Sequence, residues 1–193
     1  ILFVIPTLCN GGAERAISNI TTHLPQDIEA DILINSVSEN DYPTDAKIIS
    51  LGMKPKLKKS LMYQVQAAIM RTIALKRLKK TGQYDACISF MDSANLCNIF
   101  SGNKYCRTII SIRTYLSKAD DLFYKLIVNP LAKMFYKNAD KIVAVSLGIQ
   151  EDLTNNFFVK KDRVVTITNG YDIEQIRKKS KEEVNCYQCF GTF

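Results

Sequence analysis

The first 24 residues combine a buried strand, a glycine turn and the start of a helix. They read ILFVIPTLCNGGAERAISNITTHL, and four of the five opening apolar residues are β-branched or aromatic. Such a run is typical of a parallel strand covered on both faces. Gly11 and Gly12 then lead directly into an amphipathic pattern. This unit predicts an α/β fold in which the glycine loop lies at the carboxyl edge of a sheet.

The same unit favours an anion at the glycine loop. The first N–H groups of a helix lack intrahelical partners and carry partial positive charge, and glycines let an anion approach the backbone. A tight turn between strand and helix explains the glycines equally well without any ligand. Glu14 suits the helix dipole, whereas Arg15 beside it opposes the dipole and favours a phosphate or carboxylate contact. The dinucleotide pattern G-x-G-x-x-G and the pattern G-x-x-x-x-G-K-[ST] are both missing.

Strand-like and helix-like patterns alternate along the rest of the chain. Seven strands are predicted, at 1–5, Asp31–Asn35, Lys47–Leu51, Tyr84–Phe90, Arg107–Ile112, Lys141–Val145 and Arg163–Ile167. The predicted helices are a first one ended by Pro25, Ser60–Lys80 stopped by Gly82, Ser93–Phe100 capped by Asp92, Asp120–Asn138 kinked or divided at Pro130, Leu147–Phe157 capped by Ser146, and Asp172–Glu183. We expect one Rossmann-like domain over residues 1–171, with a parallel sheet of about seven strands and helices on both faces, and a charged helix and tail over 172–193.

Parallel strands place their carboxyl ends at one edge, where ligands of such sheets bind. The residues that follow each strand are therefore the candidate site: Thr7–Gly12, Asp92–Asn95, Arg113–Ser117, Ser146, and Asn169 with Gly170 in a predicted turn.

Composition narrows the class of protein. The chain has 193 residues, 47% of them hydrophobic and 23% charged, which suits one globular domain. No apolar run reaches the roughly 18 to 20 residues of a membrane span, and no secretory leader is visible, so we expect a cytoplasmic protein. The six cysteines do not form a disulfide framework, and Cys186 and Cys189 lack the further ligands that zinc requires. No metal site and no cofactor are expected.

Positive charge is concentrated in one stretch. Ala46 to Tyr84 holds ten basic residues and no acidic one, and the remainder of the chain has 16 basic against 19 acidic residues. The dipole at a helix C-terminus explains some of these cations. Two partners remain, an anionic membrane surface and nucleic acid; without aromatic residues among the lysines the nucleic acid is the weaker hypothesis. The residues proposed to meet the membrane are Lys54, Lys56, Lys58, Lys59, Lys76, Arg77, Lys79 and Lys80.

Four motifs in this order resemble the N-terminal domain of GT-B glycosyltransferases of the family-4 type. They are FVIPTLCNGGAER, SFMDSANL, KNADKIVAVSLGIQEDL and VVTITNGYDIEQI, and they span nearly the whole chain. The resemblance implies an acceptor-side domain whose cleft faces a C-terminal donor domain that this chain lacks. It also implies a retaining transfer from a nucleotide sugar, in which the departing diphosphate helps to remove the acceptor proton.

Two departures from the family pattern matter. Many members have a histidine after the fifth strand where this chain has Arg113, and arginine cannot act as a base, although it can bind phosphate or a sugar carboxylate. An ion pair to Asp120 or Asp121 would explain Arg113 equally well. His23 is expected at the surface on the last turn of the first helix. Glu174 and Glu182 match the family's E-x7-E spacing, but charge pairing with nearby Arg177 and lysines on a helix explains them better.

Each candidate residue thus has a predicted role. The predicted donor-phosphate contacts are Gly11, Gly12 and Arg15; the predicted catalytic residues are Asp92 and Arg113; and Asn95, Ser146 and Asn169 are predicted to contact the acceptor or shape the cleft. The predicted function is transfer of a sugar to a lipid-linked saccharide in surface polysaccharide or lipopolysaccharide biosynthesis, at the inner face of the membrane, with this fragment inactive alone. A non-catalytic sugar- or nucleotide-binding module is the alternative.

Overall fold

The computed structural model describes residues 1–9, 11–53, 61–171 and 173–181. Seven parallel strands form its sheet, in the order β3-β2-β1-β4-β5-β6-β7. The strands are β1 Leu2–Val4, β2 Asp31–Ile34, β3 Lys47–Ser50, β4 Ala86–Phe90, β5 Arg107–Ile112, β6 Lys141–Ala144 and β7 Val164–Thr166. All seven predicted strands and the Rossmann-like sheet are confirmed. The winding reverses between β1 and β4, which makes this pair the switch point of the sheet.

Helices cover both faces of the sheet, but unequally. They are α1 Gly12–Thr21, α2 Leu61–Thr81, α3 Asp92–Phe100, α4 Asn129–Phe135, α5 Leu147–Asn156 and α6 Ile173–Lys179. α1 packs its Ile17 against Phe3 and Ile5 on one face. α2, α3, α4 and α5 cover the opposite face, because right-handed crossovers made in the reverse winding direction place their helices there. Every helix in the described ranges is too short or too polar to cross a bilayer.

The predicted helix around Pro130 is divided. A π-helical turn over Tyr124–Val128 runs into α4, where Pro130 occupies the first turn, and a 3-10 turn over Tyr136–Asn138 ends the run. Proline fits the first turn of a helix because its missing N–H has no intrahelical acceptor there. The expected kink or division at Pro130 takes the form of a change from π to α hydrogen bonding at Asn129, within one uninterrupted helical run.

Three local predictions are wrong. Asp92 does not cap α3; Met91 holds that position with a left-handed φ of 75°, and Asp92 is the first helical residue. α1 ends at Thr21, so His23 lies beyond its last turn, where its Nδ1 atom lies 2.8 Å from the oxygen of Asn19. Asn169 and Gly170 do not form a turn but continue without regular structure from β7.

Two basic residues are buried without a carboxylate partner in the described chain. Lys79 is 2% exposed. Its ammonium donates to the backbone carbonyl oxygens of Asn98 at 3.0 Å and Gly102 at 2.7 Å, and to the Thr108 hydroxyl at 2.9 Å. Its place among the predicted membrane-facing residues is therefore wrong, since its ammonium stabilises the C-terminal end of α3. Arg71 is also buried and donates to Asn35 Oδ1 at 2.9 Å. Burial lowers the pKa of both side chains.

Candidate functional site

Four elements bring candidate residues to the carboxyl edge near the switch point. α1 begins after β1, α3 begins after β4, Arg113 follows β5, and Asn169 follows β7. The side chain of Arg113 donates to Asn169 Oδ1, which joins two loops that are far apart in sequence. The structure therefore assembles at one edge groups that the chain keeps up to 158 residues apart, from Gly11 to Asn169.

The start of α1 has no side-chain cap. Gly11 is the capping residue, with extended backbone, and glycine has no side chain that could accept a hydrogen bond from the first N–H groups. Gly12 is exposed, and a Cβ atom placed there would meet nothing within 4 Å. The space beside Gly12 is therefore open within the described residues, and an anion that binds at a helix start needs such access to the first N–H groups.

Glu14 explains the glycine that precedes this opening. Its carboxylate folds back over Gly11, where a Cβ atom would collide with it, and only 7% of the residue is exposed. A carboxylate beside a helix N-terminus is favoured by the helix dipole. Gly11 is thus needed for the approach of Glu14, whereas Gly12 has no steric requirement within the described structure.

Arg113 has an aromatic ring and this carboxylate near it. Its guanidinium carbon is 5.5 Å from the centre of the Phe90 ring, close enough for a cation–π contact. Partial burial lowers the pKa of Arg113, and the nearby charge of Glu14 raises it. The alternative ion pair of Arg113 with Asp120 or Asp121 is wrong. The Oδ1 atom of Asp120 instead lies 3.5 Å from the Nζ atom of Lys125, and the Oδ1 atom of Asp121 accepts a hydrogen bond from the N–H of Phe123.

Asp92 is held by two tyrosines. Tyr124 donates to its Oδ2 atom at 2.9 Å and Tyr136 donates to its Oδ1 atom at 2.8 Å. Burial, followed by the charge of Asp92, raises the pKa of Tyr124 to about 12 and raises that of Tyr136 well above the usual value, so both phenols keep their protons and remain donors. Both carboxylate oxygens of Asp92 are therefore already engaged, although each can accept a further hydrogen bond.

Asn95 does not reach the cleft, which corrects its predicted acceptor contact. The residue is fully buried. Its Oδ1 atom accepts a hydrogen bond from the Ser89 hydroxyl at 2.8 Å, and its Nδ2 atom donates to the backbone carbonyl oxygen of Ser111 at 3.1 Å. Asn95 therefore faces the sheet, and its two hydrogen bonds connect α3 to β4 and β5.

Two further candidates have structural contacts. Ser146 caps α5, as expected, and its hydroxyl accepts from the N–H of Ile149 at 3.3 Å. Arg15 is exposed and its guanidinium carbon lies 5.6 Å from the centre of the Tyr42 ring, on the side of α1 toward the loop between β2 and β3. The donor contact of Arg15 and the cleft role of Ser146 remain predictions.

A groove of about 600 Å³ extends from Arg113 along the sheet face beside α1. Its floor is mostly apolar, with Ile88, Phe90 and Val143 from the strands, and the segment from Ile167 to Tyr171 forms one wall. Arg113 and Asn169 therefore mark the end of the groove that opens at the candidate site.

The residues that position these groups carry almost no local sequence signal. Phe90 reads as an ordinary strand residue, and Tyr124 and Tyr136 read as the apolar side of a helix. Only Glu14 gave a local signal, as an acidic residue in the first turn of α1.

The loop, the strand order and the convergent edge agree with a sequence comparison. The profile of Glycosyltransferase Family 4 matches residues 10–175. The chain belongs to glycosyltransferase family 4. A curated relative from Campylobacter jejuni is 27% identical to this family-4 chain over 99 residues, which is 51% of the chain and 28% of the relative. Its name is GalNAc-alpha-(1->4)-GalNAc-alpha-(1->3)-diNAcBac-PP-undecaprenol alpha-1,4-N-acetyl-D-galactosaminyltransferase.

Solved structures share the fold of this family-4 chain. HepE from Anabaena, solved with UDP and glucose, has a TM-score of 0.61 and is 16% identical in sequence. The match covers 93% of the family-4 chain and 50% of the HepE chain. The lipopolysaccharide outer core galactosyltransferase WaaB has a TM-score of 0.62 and is 16% identical, and the match covers 89% of the family-4 chain and 46% of the WaaB chain. UDP-N-acetylglucosamine 2-epimerase from Rickettsia bellii has a TM-score of 0.65 and is 5% identical, and the match covers 98% of the family-4 chain and 51% of the epimerase chain. The chain thus spans about half of these proteins and 28% of the curated relative.

Proposed function

We propose that this domain is the acceptor-side half of a retaining glycosyltransferase that moves a sugar from a nucleotide sugar to a lipid-linked saccharide. The pathway would be surface polysaccharide or lipopolysaccharide biosynthesis. Family membership supports transfer as the reaction class. The lipid-linked acceptor is proposed from the Campylobacter relative, whose name places its substrate on undecaprenol diphosphate.

The observation that carries the proposal is that the start of α1 and Arg113 lie at the same edge of the sheet, with Glu14 of α1 close enough for its charge to raise the pKa of Arg113. N–H groups near Gly12 would bind oxygens of the donor diphosphate, and the Arg113 guanidinium would balance its charge. Glu14 balances Arg113 in the structure described here. A bound diphosphate would take over that role, because it carries more negative charge than a carboxylate.

The proposed chemistry needs no basic side chain from this domain. The bond from the anomeric carbon to the diphosphate breaks as a bond to the acceptor hydroxyl oxygen forms on the same face of the sugar. The hydroxyl proton passes to the departing phosphate oxygen. Arg113 cannot accept this proton, and its proposed role is to stabilise the negative charge that develops on the diphosphate.

The proposed location is the inner face of the membrane, where anionic lipid would attract the basic stretch. Lys76, Arg77 and Lys80 are exposed on α2 and available for this contact. Lys54, Lys56, Lys58 and Lys59 lie outside the described residues.

Substitution of Gly12 tests the proposal. Gly12→Val should fold normally, because its side chain enters open space, but should raise the KM for the nucleotide sugar by on the order of tenfold or more by blocking the N–H groups. Initial rates of transfer by the complete gene product measure this, and thermal unfolding checks the fold. Gly12→Ala is the matched control and should have a smaller effect.

Unchanged kinetics in Gly12→Val would remove the α1 opening from the donor site. Tight binding of nucleotide sugar by the complete gene product with no transfer to any saccharide would instead favour the non-catalytic binding module.

A further inference from the structure

α2 exposes an apolar row on the side that faces away from the sheet. The members of this row are spaced by three or four residues, which places them on one face of a helix: Met62 79% exposed, Val65 50%, Ile69 55% and Ile73 64%. The opposite side of α2 buries Ala67, Arg71, Leu75 and Lys79. A helix at a protein surface normally exposes polar residues on its outer side, so α2 has an outer side suited to a second apolar environment.

The outer side of α2 changes from apolar to basic along its length. Lys76 and Lys80 continue the same row one and two turns further on, and both are exposed. Within Ala46 to Tyr84 the sequence contains no acidic residue. Amphipathic elements that combine an apolar row with basic residues bind at the interface of anionic membranes.

A second apolar patch lies beside the carboxyl edge of the sheet, in the segment that follows β5. In the segment after β5, Leu122 and Leu126 are each 70% exposed, and Phe123 and Ile127 are each 40% exposed. Tyr124, in the middle of this patch, is bonded to Asp92, while Arg71 on the inner side of α2 donates to Ser93 at 3.4 Å. The two patches are thus fastened on either side of the start of α3, next to the candidate site.

We propose that the outer row of α2, together with the Leu122–Ile127 patch, is a surface that docks on an anionic lipid bilayer. The apolar side chains would enter the interface and the basic end of α2 would bind lipid headgroups. Docking here brings the carboxyl edge of the sheet close to the membrane, where a lipid-linked acceptor would present its sugar. The inference rests on the proposed function for that acceptor alone.

A second copy of the chain fits this surface less well. In a symmetric dimer each α2 row would have to complement itself. Lys76, Arg77 and Lys80 would then need acidic partners on the facing row, and α2 contains none. An anionic lipid surface supplies the missing negative charge.

Vesicle sedimentation tests the proposal. The chain is mixed with vesicles of phosphatidylcholine alone or of phosphatidylcholine with phosphatidylglycerol, and the bound fraction is measured. Val65→Gln/Ile69→Gln/Ile73→Gln should lower the partition coefficient on anionic vesicles by at least about tenfold, because three apolar side chains no longer enter the interface. Lys76→Gln/Lys80→Gln should reduce binding to anionic vesicles and leave binding to neutral vesicles unchanged.

Val165→Thr is the matched control. Val165 is also exposed, but it lies on the sheet face opposite the layer of α2, so its substitution should leave vesicle binding unchanged. Circular dichroism and thermal unfolding verify that the triple variant is folded, and glutamine favours helix more than the β-branched residues that it replaces.

Two outcomes would overturn the proposal. One is equal vesicle binding by the folded triple variant and the parent chain. The other is a concentration-dependent dimer in size-exclusion chromatography that the triple substitution abolishes while vesicles bind neither protein. Failure of the proposed function has a different signature: the parent would bind anionic vesicles, yet the complete gene product would transfer no sugar to a lipid-linked or a soluble acceptor.

Discussion

The two residues predicted to be catalytic have different surroundings. Arg113 is partly buried, lies over Phe90 and contacts Asn169, so its guanidinium is fixed at the edge of the groove. Asp92 is fixed by the hydroxyls of Tyr124 and Tyr136 and connects α3 to the segment after β5. Arg113 is therefore the stronger candidate for contact with a reactant, and Asp92 has an observed role in positioning.

Arg113→Ala should lower kcat/KM for the nucleotide sugar by on the order of 100-fold, because a fixed cation beside the departing diphosphate is lost. Arg113→Lys should lower it less, since the charge remains while the planar contact with Phe90 is lost. Steady-state kinetics of the complete gene product measure both variants.

Arg107→Ala provides the comparison for Arg113. Arg107 is exposed at the opposite end of the same strand, so its removal should leave kcat/KM unchanged. Equal kinetics for Arg113→Ala and Arg107→Ala would exclude Arg113 from the reaction.

At the scale of elements, the segment after β5 contains three kinds of helix in succession. A π-helical turn, α4 and a 3-10 turn follow one another within 15 residues, from Tyr124 to Asn138. π-helical turns are rare and often occur at functional sites. Tyr124 and Tyr136 each bind Asp92 from this segment, so the start of α3 and the exposed Leu122–Ile127 patch are held in one arrangement.

Tyr124→Phe should lower the free energy of unfolding by about 1 kcal/mol near neutral pH, because Asp92 loses one hydrogen bond. The pKa of Tyr124 is raised to about 12 in the folded chain, above the ordinary value of 10.0. Its contribution is therefore fully present below pH 10 and is lost as the pH rises toward 12. Urea unfolding of both proteins at several pH values should show their difference shrinking over that interval.

Tyr105→Phe is the reference for this measurement. Tyr105 is exposed and the ammonium of Lys104 lies 5.5 Å from the centre of its ring, so its substitution should change stability by less than about 0.5 kcal/mol. A Tyr124→Phe difference that stays constant up to pH 12 would contradict the role given to the phenol.

On the scale of the whole molecule, the candidate groups lie along one edge of the sheet. Donor-phosphate candidates, Arg113 and the apolar patches all lie at or near the carboxyl edge of a domain that spans about half of the solved relatives. A site open along one edge leaves most of a bound nucleotide in contact with water. We therefore expect catalysis to require protein beyond the described domain.

Residues 1–193 alone should bind pyrophosphate, with amide shifts near Gly12, yet should not transfer sugar. Heteronuclear NMR titration measures the first property and a radiolabelled transfer assay measures the second, with the complete gene product as the positive control. Transfer by residues 1–193 alone would show that this domain holds a complete active site.

The local parts of the fold were predictable because their signals lie in consecutive residues. Apolar runs bounded by polar turns located the strands, Ser146 identified the start of α5, and Pro130 indicated the change of helix type at the start of α4. These patterns need no knowledge of distant contacts, since a strand repeats every two residues and a helix start requires one side-chain acceptor.

Contacts between distant segments were decided only by the tertiary structure. The sequence could not show that Asn95 and Lys79 are buried, that Asp92 binds two tyrosines, or that Arg113 contacts Asn169 rather than an aspartate. A polar side chain is stable in any of several environments, provided that its hydrogen bonds are satisfied there. The sequence by itself determined the α/β sheet and the glycine loop that begins α1, because hydrophobic periodicity and backbone geometry act locally. The tertiary structure alone selected which polar groups lie open at the carboxyl edge of the sheet, because that choice depends on partners that the winding of the chain brings together.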